Sequence, residues 1–301
     1  MVDCDPGLGR RAAEVDDGLA IFLMLNNPEI FDIIGITTVF GNTPVEMGYK
    51  LVRRYLKLAN KTEIPNFLGA TSKYILGKLT EASKFIINKI QELENEIILL
   101  ALGPLTNIAT VFKLFPNLIT KIKKIIFLGG TIEPTSAFSP PFIFEDGLSK
   151  FVENNFQSDP QAAKLIIDSE TAIPRIGLGL DICCQVVFKE KHLKILNSIG
   201  SPITNFIAEN LDHWLNVWKF NKSCGFYPFD TFIPIFMLNP ELFSTVDLYI
   251  TIDTEENPGR IIILKDNEKN STPVTYCMNF KNPDGNKRFM EILIENLIKE
   301  E

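Results

Sequence analysis

The sequence of 301 residues predicts an α/β protein with a Rossmann-like, mostly parallel central sheet flanked by helices. Short apolar runs of strand-forming residues alternate along the chain with segments whose apolar residues have helical spacing. Turn residues such as Pro6, Gly7 and Gly129 close several of the strand-like runs. This alternation implies crossover helices and parallel strands, with ligands beyond the carboxyl ends of the strands. Because no repeat or linker interrupts it, we expect a single domain over residues 1–301.

The first half of the chain shows this alternation most clearly. An amino-terminal strand ends in the turn Asp-Pro-Gly, and the apolar run after Asp17 is expected to form the first helix. Residues 31–40 are rich in β-branched and aromatic side chains, as strands are. The turn Gly-Pro-Leu-Thr-Asn leads from a buried strand into a helix. Strands are predicted at 31–40, 64–70, 96–102 and 122–128, and helices at 18–26, 45–59, 85–93 and 108–115.

The second half begins with a predicted loop over 131–150, rich in proline, serine and phenylalanine. His192 lies among lysines and is expected to be exposed, whereas Trp214 and Trp218 have the i, i+4 spacing of a buried helix face. A hairpin is expected around Glu255–Gly259. Strands are predicted at 176–180, 247–253, 260–265 and 274–278, and helices at 160–168, 190–199, 203–219 and 285–299.

Composition limits the partners of the chain. The formal net charge is −7, and the longest basic runs, Arg10–Arg11 and 121–124, are too short for a nucleic-acid footprint. The five cysteines are odd in number and lack Cys-x-x-Cys spacing, so we expect a reducing compartment and neither a disulfide framework nor a zinc site. No apolar run could span a bilayer and no signal peptide is evident. We therefore expect a cytoplasmic protein with no nucleic-acid or membrane partner.

Four aspartates lie within the first seventeen residues, at Asp3, Asp5, Asp16 and Asp17. The first two belong to the end of a strand, and the last two begin a helix, where acidic residues complement the helix dipole. Clustered carboxylates repel one another unless a cation neutralises them, and Ca²⁺ and Mg²⁺ prefer oxygen ligands. The residues alone leave two interpretations open, a metal site and a solvated acidic loop with helix caps.

Further motifs favour the metal site. Asp-Cys-Asp-Pro-Gly (3–7), Asp-Asp-Gly-Leu-Ala (16–20), Asn-Pro-Glu-Ile (27–30) and Ile-Thr-Thr-Val-Phe-Gly-Asn (36–42) together resemble the inosine-uridine-preferring nucleoside hydrolase family. The segments 100–109, 152–163 and 225–240 are similar to later motifs of that family. The resemblance implies hydrolysis of the N-glycosidic bond of ribonucleosides to ribose and free base, with Ca²⁺ as the cofactor and an assembly of two or four identical chains, a homodimer or homotetramer.

The resemblance also assigns roles to individual residues. Asp5 is implied to be the catalytic base, accepting a proton from a water molecule that Ca²⁺ activates. The implied ligands of Ca²⁺ are the carboxylates of Asp5, Asp17 and Asp230 and the backbone carbonyl of Leu102. The ribose hydroxyls are implied to be held by Asp16, Asn42, Glu153 and Asn155, and the base pocket to include Trp218 and Phe229.

Three features depart from the family pattern. The insertion Gly9–Val15 would move Asp16 out of register if it extended the first helix backwards, but not if it formed a bulged loop, which its glycine would allow. The segment between residues 70 and 85 is shorter than the flap of the family. Phe229 stands where a histidine often protonates the leaving base, and phenylalanine cannot donate a proton. Some purine-specific relatives instead place an aromatic residue there and activate the base by stacking.

Three functions are consistent with these residues. The leading hypothesis is an active Ca²⁺-dependent ribonucleoside hydrolase. The second is a catalytically weakened relative that binds metal and nucleoside without turnover, which the three departures favour. The third is a Mg²⁺-dependent phosphohydrolase with an Asp-x-Asp nucleophile, although Pro6 and Gly7 directly after Asp5 argue against it.

Overall fold

The structure is a computed structural model and describes residues 1–132, 152–265 and 272–299. Its centre is an eight-stranded sheet with the order β3-β2-β1-β4-β5-β6-β10-β7, in which β7 alone runs antiparallel to its neighbour. The strands are β1 (Val2–Cys4), β2 (Ile36–Thr38), β3 (Asn66–Leu68), β4 (Ile98–Ala101), β5 (Lys124–Leu128), β6 (Arg175–Leu178), β7 (Phe243–Leu248) and β10 (Val274–Phe280). The predicted fold class is confirmed.

Eleven α-helices lie in the described ranges, together with a separate hairpin of β8 (Ile250–Ile252) and β9 (Ile261–Ile263). The helices are α1 (Asp16–Leu25), α2 (Val45–Leu58), α3 (Glu81–Glu92), α4 (Thr106–Leu114), α5 (Asn154–Ser158), α6 (Pro160–Ile167), α7 (Leu180–Cys183), α8 (Glu190–Ile199), α9 (Pro202–Phe220), α10 (Phe232–Leu238) and α11 (Gly285–Leu297). None of these helices is long and apolar enough to cross a membrane.

Helices cover both faces of the sheet, which explains why its strands are apolar on both sides. Leu100 of β4 and Ile126 of β5 pack into a core with α1, α2 and α9. Their chain neighbours Leu99 and Ile125 pack into a second core with α3, α4 and α6. Successive side chains of a strand point to opposite faces of the sheet, so one short apolar strand contributes side chains to both cores. All ten residues of α1 are buried, as expected for a helix that is apolar on every side.

The sequence predictions differ from the structure mainly in the lengths of the elements. The strands predicted at 31–40 and 64–70 shrink to three residues each, and the strand predicted at 247–253 divides into β7 and β8. The hairpin around Glu255–Gly259 is confirmed as β8 and β9. The short helices α5 and α7 were not predicted, because five and four residues are too few to show a helical period. The loop predicted at 131–150 lies outside the described residues from residue 133 onward.

One side-chain prediction was wrong. His192, expected to be exposed, is buried in the first turn of α8, where its Nδ1 accepts a hydrogen bond of 2.9 Å from the backbone amide of Lys189. Its ring also packs edge-on against Phe188. The lysines beside it in the sequence hid this capping role. Trp214 and Trp218 are buried as predicted, with their rings in an edge contact.

Candidate active site

The candidate site lies where the strand order reverses direction. After β1 the chain continues to β2, which pairs with one side of β1, whereas β4 pairs with its other side. The carboxyl ends of β2 and β4 therefore flank a crevice at the end of β1. Asp5 follows β1, Asn42 lies in the loop after β2, and Leu102 directly follows β4. Open α/β sheets bind ligands at such a switch point. The topology therefore brings these three predicted site residues to one edge of the sheet.

The Asp5 carboxylate is held between two glycine backbones. Its Oδ2 accepts a hydrogen bond of 2.6 Å from the backbone amide of Asn42. A Cβ atom on Gly103 would lie 2.5 Å from the Asp5 Oδ1, and one on Gly41 would collide with Oδ2. Only residues without a side chain leave room for the carboxylate here. The Gly-Pro-Leu-Thr-Asn turn thus packs directly on the predicted catalytic base.

Asp17 links the start of α1 to the loops that follow β1 and β2. Its Oδ1 accepts a hydrogen bond of 3.0 Å from the backbone amide of Asp5, and its Oδ2 accepts one of 3.2 Å from the side-chain amide of Asn42. Asp17 is completely buried. The insertion has therefore not separated the carboxylates from the strand end, which was the main uncertainty left by the sequence.

The insertion bulges outward instead of extending the helix. Two turns follow each other, with hydrogen bonds from the Arg10 amide to the Gly7 carbonyl and from the Ala13 amide to the Arg10 carbonyl. Gly9 and Ala12 both have positive φ angles, of 106° and 56°. A chain that doubles back in this way returns to the same point, so α1 begins at Asp16 and the register of the motif is kept.

Asp16, Asp17 and Asp230 form a buried group whose ligand oxygen atoms all lie within 4.8 Å of one another. Asp230 comes from a 3₁₀ turn at Phe229–Thr231, far along the chain from the other two. Asp16, predicted to hold ribose, belongs to this group. Asp5 lies next to the group, because its backbone amide donates a hydrogen bond to the Asp17 carboxylate.

Unpartnered oxygens indicate what this group can bind. The Oδ1 atoms of Asp5, Asp16 and Asp230 are buried and have no hydrogen-bond donor among the described residues. A buried acceptor without a partner destabilises a fold, and a hard divalent cation satisfies such oxygens. The donor set therefore fits Ca²⁺ or Mg²⁺.

Burial and mutual repulsion disfavour charge on these carboxyl groups. Burial, followed by the neighbouring carboxylates, raises the pKa values of Asp5, Asp16 and Asp230 well above their ordinary range. The pKa of Asp17 rises to about 6, because burial outweighs its hydrogen bonds to Asp230, Asp5 and Asn42. The group therefore needs protons or a cation to remain buried together.

The predicted ligand Leu102 has its carbonyl hydrogen-bonded to a predicted substrate residue. The side-chain amide of Asn155 donates to the carbonyls of Leu102 at 2.7 Å and Leu128 at 3.1 Å. Asn155 thereby ties the carboxyl ends of β4 and β5 together. A carbonyl oxygen has two lone pairs, so the Leu102 carbonyl retains one for a cation.

Glu153, predicted to hold ribose, caps α5. Its carboxylate accepts hydrogen bonds from the backbone amides of Asn155 at 2.7 Å, Phe156 at 3.1 Å and Gly130 at 3.1 Å. Burial nevertheless raises its pKa to about 7. Sequence reasoning missed this capping role, although a glutamate directly before a helix is a usable signal.

An aromatic row lies beside Asp230. The rings of Trp218 and Tyr227 are 5.5 Å apart and those of Tyr227 and Phe229 are 5.7 Å apart. Trp218 is buried in the core, whereas Tyr227 and Phe229 are half-buried. Of the two residues predicted for the base pocket, Phe229 thus presents the more accessible ring.

A polar network below Asp5 was not predicted. Asp3 Oδ1 accepts hydrogen bonds from the Thr37 hydroxyl at 2.6 Å and from the Asn107 side-chain amide at 2.8 Å. The same amide donates to the carbonyl of Thr38, and Asn107 Oδ1 accepts from the amide of Ala70. Asn107 thus links β1 to the carboxyl ends of β2 and β3. The sequence signal that could have indicated this network was a polar residue inside each of these apolar segments.

These features define an α/β protein with a buried carboxylate site, suited to a divalent cation, at the switch point of its sheet. The family model described as inosine-uridine preferring nucleoside hydrolase matches residues 1–287. The chain belongs to this family, as the sequence motifs predicted, and it is a hydrolase acting on N-glycosyl compounds. Nucleoside hydrolases depend on a metal ion. This family membership is inconsistent with the phosphohydrolase alternative.

Individual relatives agree with the family match. The chain is 28% identical over 286 residues to the pyrimidine-specific ribonucleoside hydrolase RihA of Escherichia coli O1:K1 / APEC, covering 85% of this chain and 84% of that protein. It is 27% identical over 310 residues to RihA of Shigella boydii serotype 4 (strain Sb227), covering 90% and 91%.

Solved structures share the fold. The purine-preferring ribonucleoside hydrolase from Gardnerella vaginalis superposes with a TM-score of 0.81 at 22% identity, covering 99% of this chain and 98% of that one. The plant nucleoside hydrolase PpNRh1 gives 0.80 at 21% identity with the same coverage.

Proposed function

We propose that this protein hydrolyses ribonucleosides to ribose and free base with Ca²⁺ as its cofactor. The observation that carries the proposal is the convergence of four buried carboxylates, three of them with an unpartnered oxygen, at the switch point. The proposed ligands are Asp5, Asp17, Asp230 and the carbonyl of Leu102. Asp16 borders both this cation site and the ribose.

The arrangement of Asp5 suits a general base. When bound, Ca²⁺ lowers the pKa of a water molecule at the site. Oδ2 of Asp5 accepts the Asn42 amide, whereas Oδ1 has no donor among the described residues. Because a carboxylate oxygen has two lone pairs, Oδ1 can contact the cation and still accept a proton from the water. The water oxygen then bonds to C1′ of the ribose as its proton passes to Asp5, and the electron pair of the broken C1′–N bond leaves with the base. The base takes up a proton from solvent, and Asp5 returns its proton to solvent.

The remaining residues are proposed to hold the sugar and the base. Asp16 and Asn42 lie beside Asp5, and Glu153 and Asn155 lie at the ends of β4 and β5, so they would grip ribose hydroxyls from two sides. Carboxylates in these contacts also favour the positive charge that grows on the ribose in the transition state. Phe229 would stack on the base, with Trp218 supporting the aromatic row from the core.

A catalytically weakened relative is the second candidate. Phe229 has no proton to give to a leaving base, and the described hydrogen bonds of Glu153 and Asn155 go to backbone groups. Such a protein would bind the cation and the nucleoside but release no ribose. The two candidates therefore differ in one measurable product.

The test is release of free ribose from inosine and uridine. We expect release with Ca²⁺ and none after treatment with a chelator. Asp5→Asn should lower kcat by about 10²- to 10⁴-fold, because the proton acceptor is lost. Asp32→Asn, an exposed aspartate that precedes β2 at the opposite edge of the sheet, is the matched control and should behave as the native protein. Undiminished ribose release by Asp5→Asn would refute the assignment of the base, and no release by the native protein would favour the second candidate.

Three broader expectations accompany this proposal. The chain is proposed to form one domain over residues 1–301, to assemble as a homodimer or homotetramer, and to act in the cytoplasm. Light scattering would measure the number of chains in the assembly. Fractionation of the source cells would test the location.

A further inference from the structure

A second cavity lies at the edge of the sheet opposite the candidate active site. Its volume is about 470 Å³, and it is lined by the carboxyl-terminal half of α2 and by the segment that leads into β3 at Asn66. The candidate active site follows the carboxyl ends of the strands, whereas this cavity is at the amino end of β3. Small-molecule sites usually have volumes of about 300–1,000 Å³, so this cavity is large enough to hold a ligand.

The cavity is positively charged. Arg53, Arg54 and Lys57 line it, all three are exposed, and none forms an ion pair with another described residue. No carboxylate is among the described residues that line it, and Glu63 lines a neighbouring cavity instead. A cleft lined by charges of one sign concentrates ions of the opposite sign. In a chain with a net charge of −7, this cavity therefore attracts anions locally.

Aromatic rings restrain both arginine side chains. The guanidinium carbon of Arg54 lies 4.3 Å from the ring centroid of Phe206 in α9, and that of Arg53 lies 6.0 Å from the ring centroid of Tyr49. Both distances are within the range of cation–π contacts. The N–H donors of these guanidinium groups have no hydrogen-bond acceptor among the described residues. The donors are thus partly pre-organised and available, which lowers the entropic cost of binding an anion.

The number of cations and the remaining walls indicate the class of ligand. A phosphate monoester carries about −1.5 to −2 charges near neutral pH, which suits three cations better than the single charge of a carboxylate. Arginine also binds phosphate oxygens through two parallel hydrogen bonds. Leu56, Ile64 and Pro65 add apolar walls, and the Thr62 side chain adds a hydroxyl group. Inorganic phosphate would leave most of this volume and these apolar walls without contacts, whereas an organic phosphate would use them.

We propose that this cavity binds a small organic phosphate, whose phosphate group is held by Arg53, Arg54 and Lys57 and whose organic part packs on the apolar walls. A sugar phosphate and a nucleoside monophosphate share this chemistry. The inference is independent of the proposed ribonucleoside hydrolysis, because none of these residues belongs to the candidate active site.

The test is calorimetric titration of the full chain with ribose 5-phosphate, uridine 5′-monophosphate and inorganic phosphate. We expect at least one organic phosphate to bind more tightly than inorganic phosphate, and the tighter of the two identifies the organic part. In the double variant Arg53→Gln, Lys57→Gln, its affinity should fall by about ten- to a hundredfold, because two charge-assisted contacts are lost. Arg54 is left in place because its contact with Phe206 connects α2 to α9.

The matched control is the double variant Lys84→Gln, Lys123→Gln. It removes the same two charges from exposed residues that do not line the cavity, and it should bind as the native protein does. Binding that persists unchanged in Arg53→Gln, Lys57→Gln would belong to another site and would overturn the inference. Equal affinity for inorganic phosphate, an equal loss in the control variant, or no binding of either organic phosphate by the native protein would also overturn it. None of these outcomes depends on the release of ribose, so the proposed function is tested separately.

Discussion

At the scale of single residues, the most constrained group in the site is the carboxylate of Asp5. Two glycines contact it, and one backbone amide orients it. The sequence motif suggested that Asp5 is a base. The sequence explained the glycine at position 103 only as part of a turn. The structure supplies that reason, since the Gly103 backbone occupies the space next to Oδ1.

We expect Gly103→Ala to impair turnover more than stability. The new methyl group would lie 2.5 Å from the Asp5 Oδ1 and would push the carboxylate out of position. A displacement of about 1 Å in a catalytic group can cost about a hundredfold in rate. Measurements of kcat and of the free energy of unfolding check this expectation.

Gly200→Ala is a suitable control for that variant. Gly200 has a φ angle of 77° at the end of α8, and nothing lies within 4 Å of an added Cβ. It should lose about 1 kcal/mol of stability through backbone strain while keeping native kcat. A Gly103→Ala protein with native kcat would show that the Asp5 position tolerates the added methyl group.

At the scale of structural elements, the insertion determines how the first motif can work. A helix continued backwards from α1 would have carried its acidic residues away from β1. Two tight turns and two buried ends instead return the chain to the start of α1. The hydrogen bond from Tyr55 to the Leu8 carbonyl links this loop to α2.

Tyr55→Phe is expected to loosen the insertion. The Leu8 carbonyl would remain buried without its donor, which costs about 1–3 kcal/mol. Because Arg10 and Arg11 are exposed in this loop, trypsin should cleave after them faster in the variant, as mass spectrometry of the amino-terminal fragments would show. Tyr74→Phe is the matched control, since Tyr74 is 82% exposed and its hydroxyl is accessible to water. Equal cleavage rates in Tyr55→Phe and the native protein would mean that the hydroxyl does not hold the loop.

At the scale of the whole molecule, the proposed cation site joins distant parts of the chain. Asp17 belongs to α1, and Asp230 belongs to a turn more than two hundred residues later. A ligand that binds only the folded chain stabilises it by mass action. Occupation of this site should therefore strengthen the fold as a whole.

We expect Ca²⁺ at a hundred times its dissociation constant to stabilise the native protein by about 2.7 kcal/mol. Thermal unfolding with Ca²⁺ or with a chelator measures this effect. Asp230→Ala should lose both the stabilisation and turnover, because one ligand and one side of the buried group are removed. If Asp230→Ala kept the full Ca²⁺-dependent shift in unfolding temperature, the cation would have to bind elsewhere.

The sequence by itself determined the class of fold and the family. Alternating apolar runs specify parallel strands under helices, because hydrophobic periodicity is a local property of the chain. The motifs at Asp5, Asn42 and Gly103 predicted the edge of the sheet where the candidate site lies, because residues that follow parallel strands share one edge.

Only the tertiary structure decided which contacts each site residue makes. Whether the Gly9–Val15 segment extends α1 or bulges depends on its packing against Gly7, Leu51 and Phe206, which no local pattern encodes. Glu153 caps α5 and Asn155 bridges two strand ends because β4, β5 and α5 meet there. Side chains far apart in sequence acquire such neighbours only when the sheet and its helices are assembled.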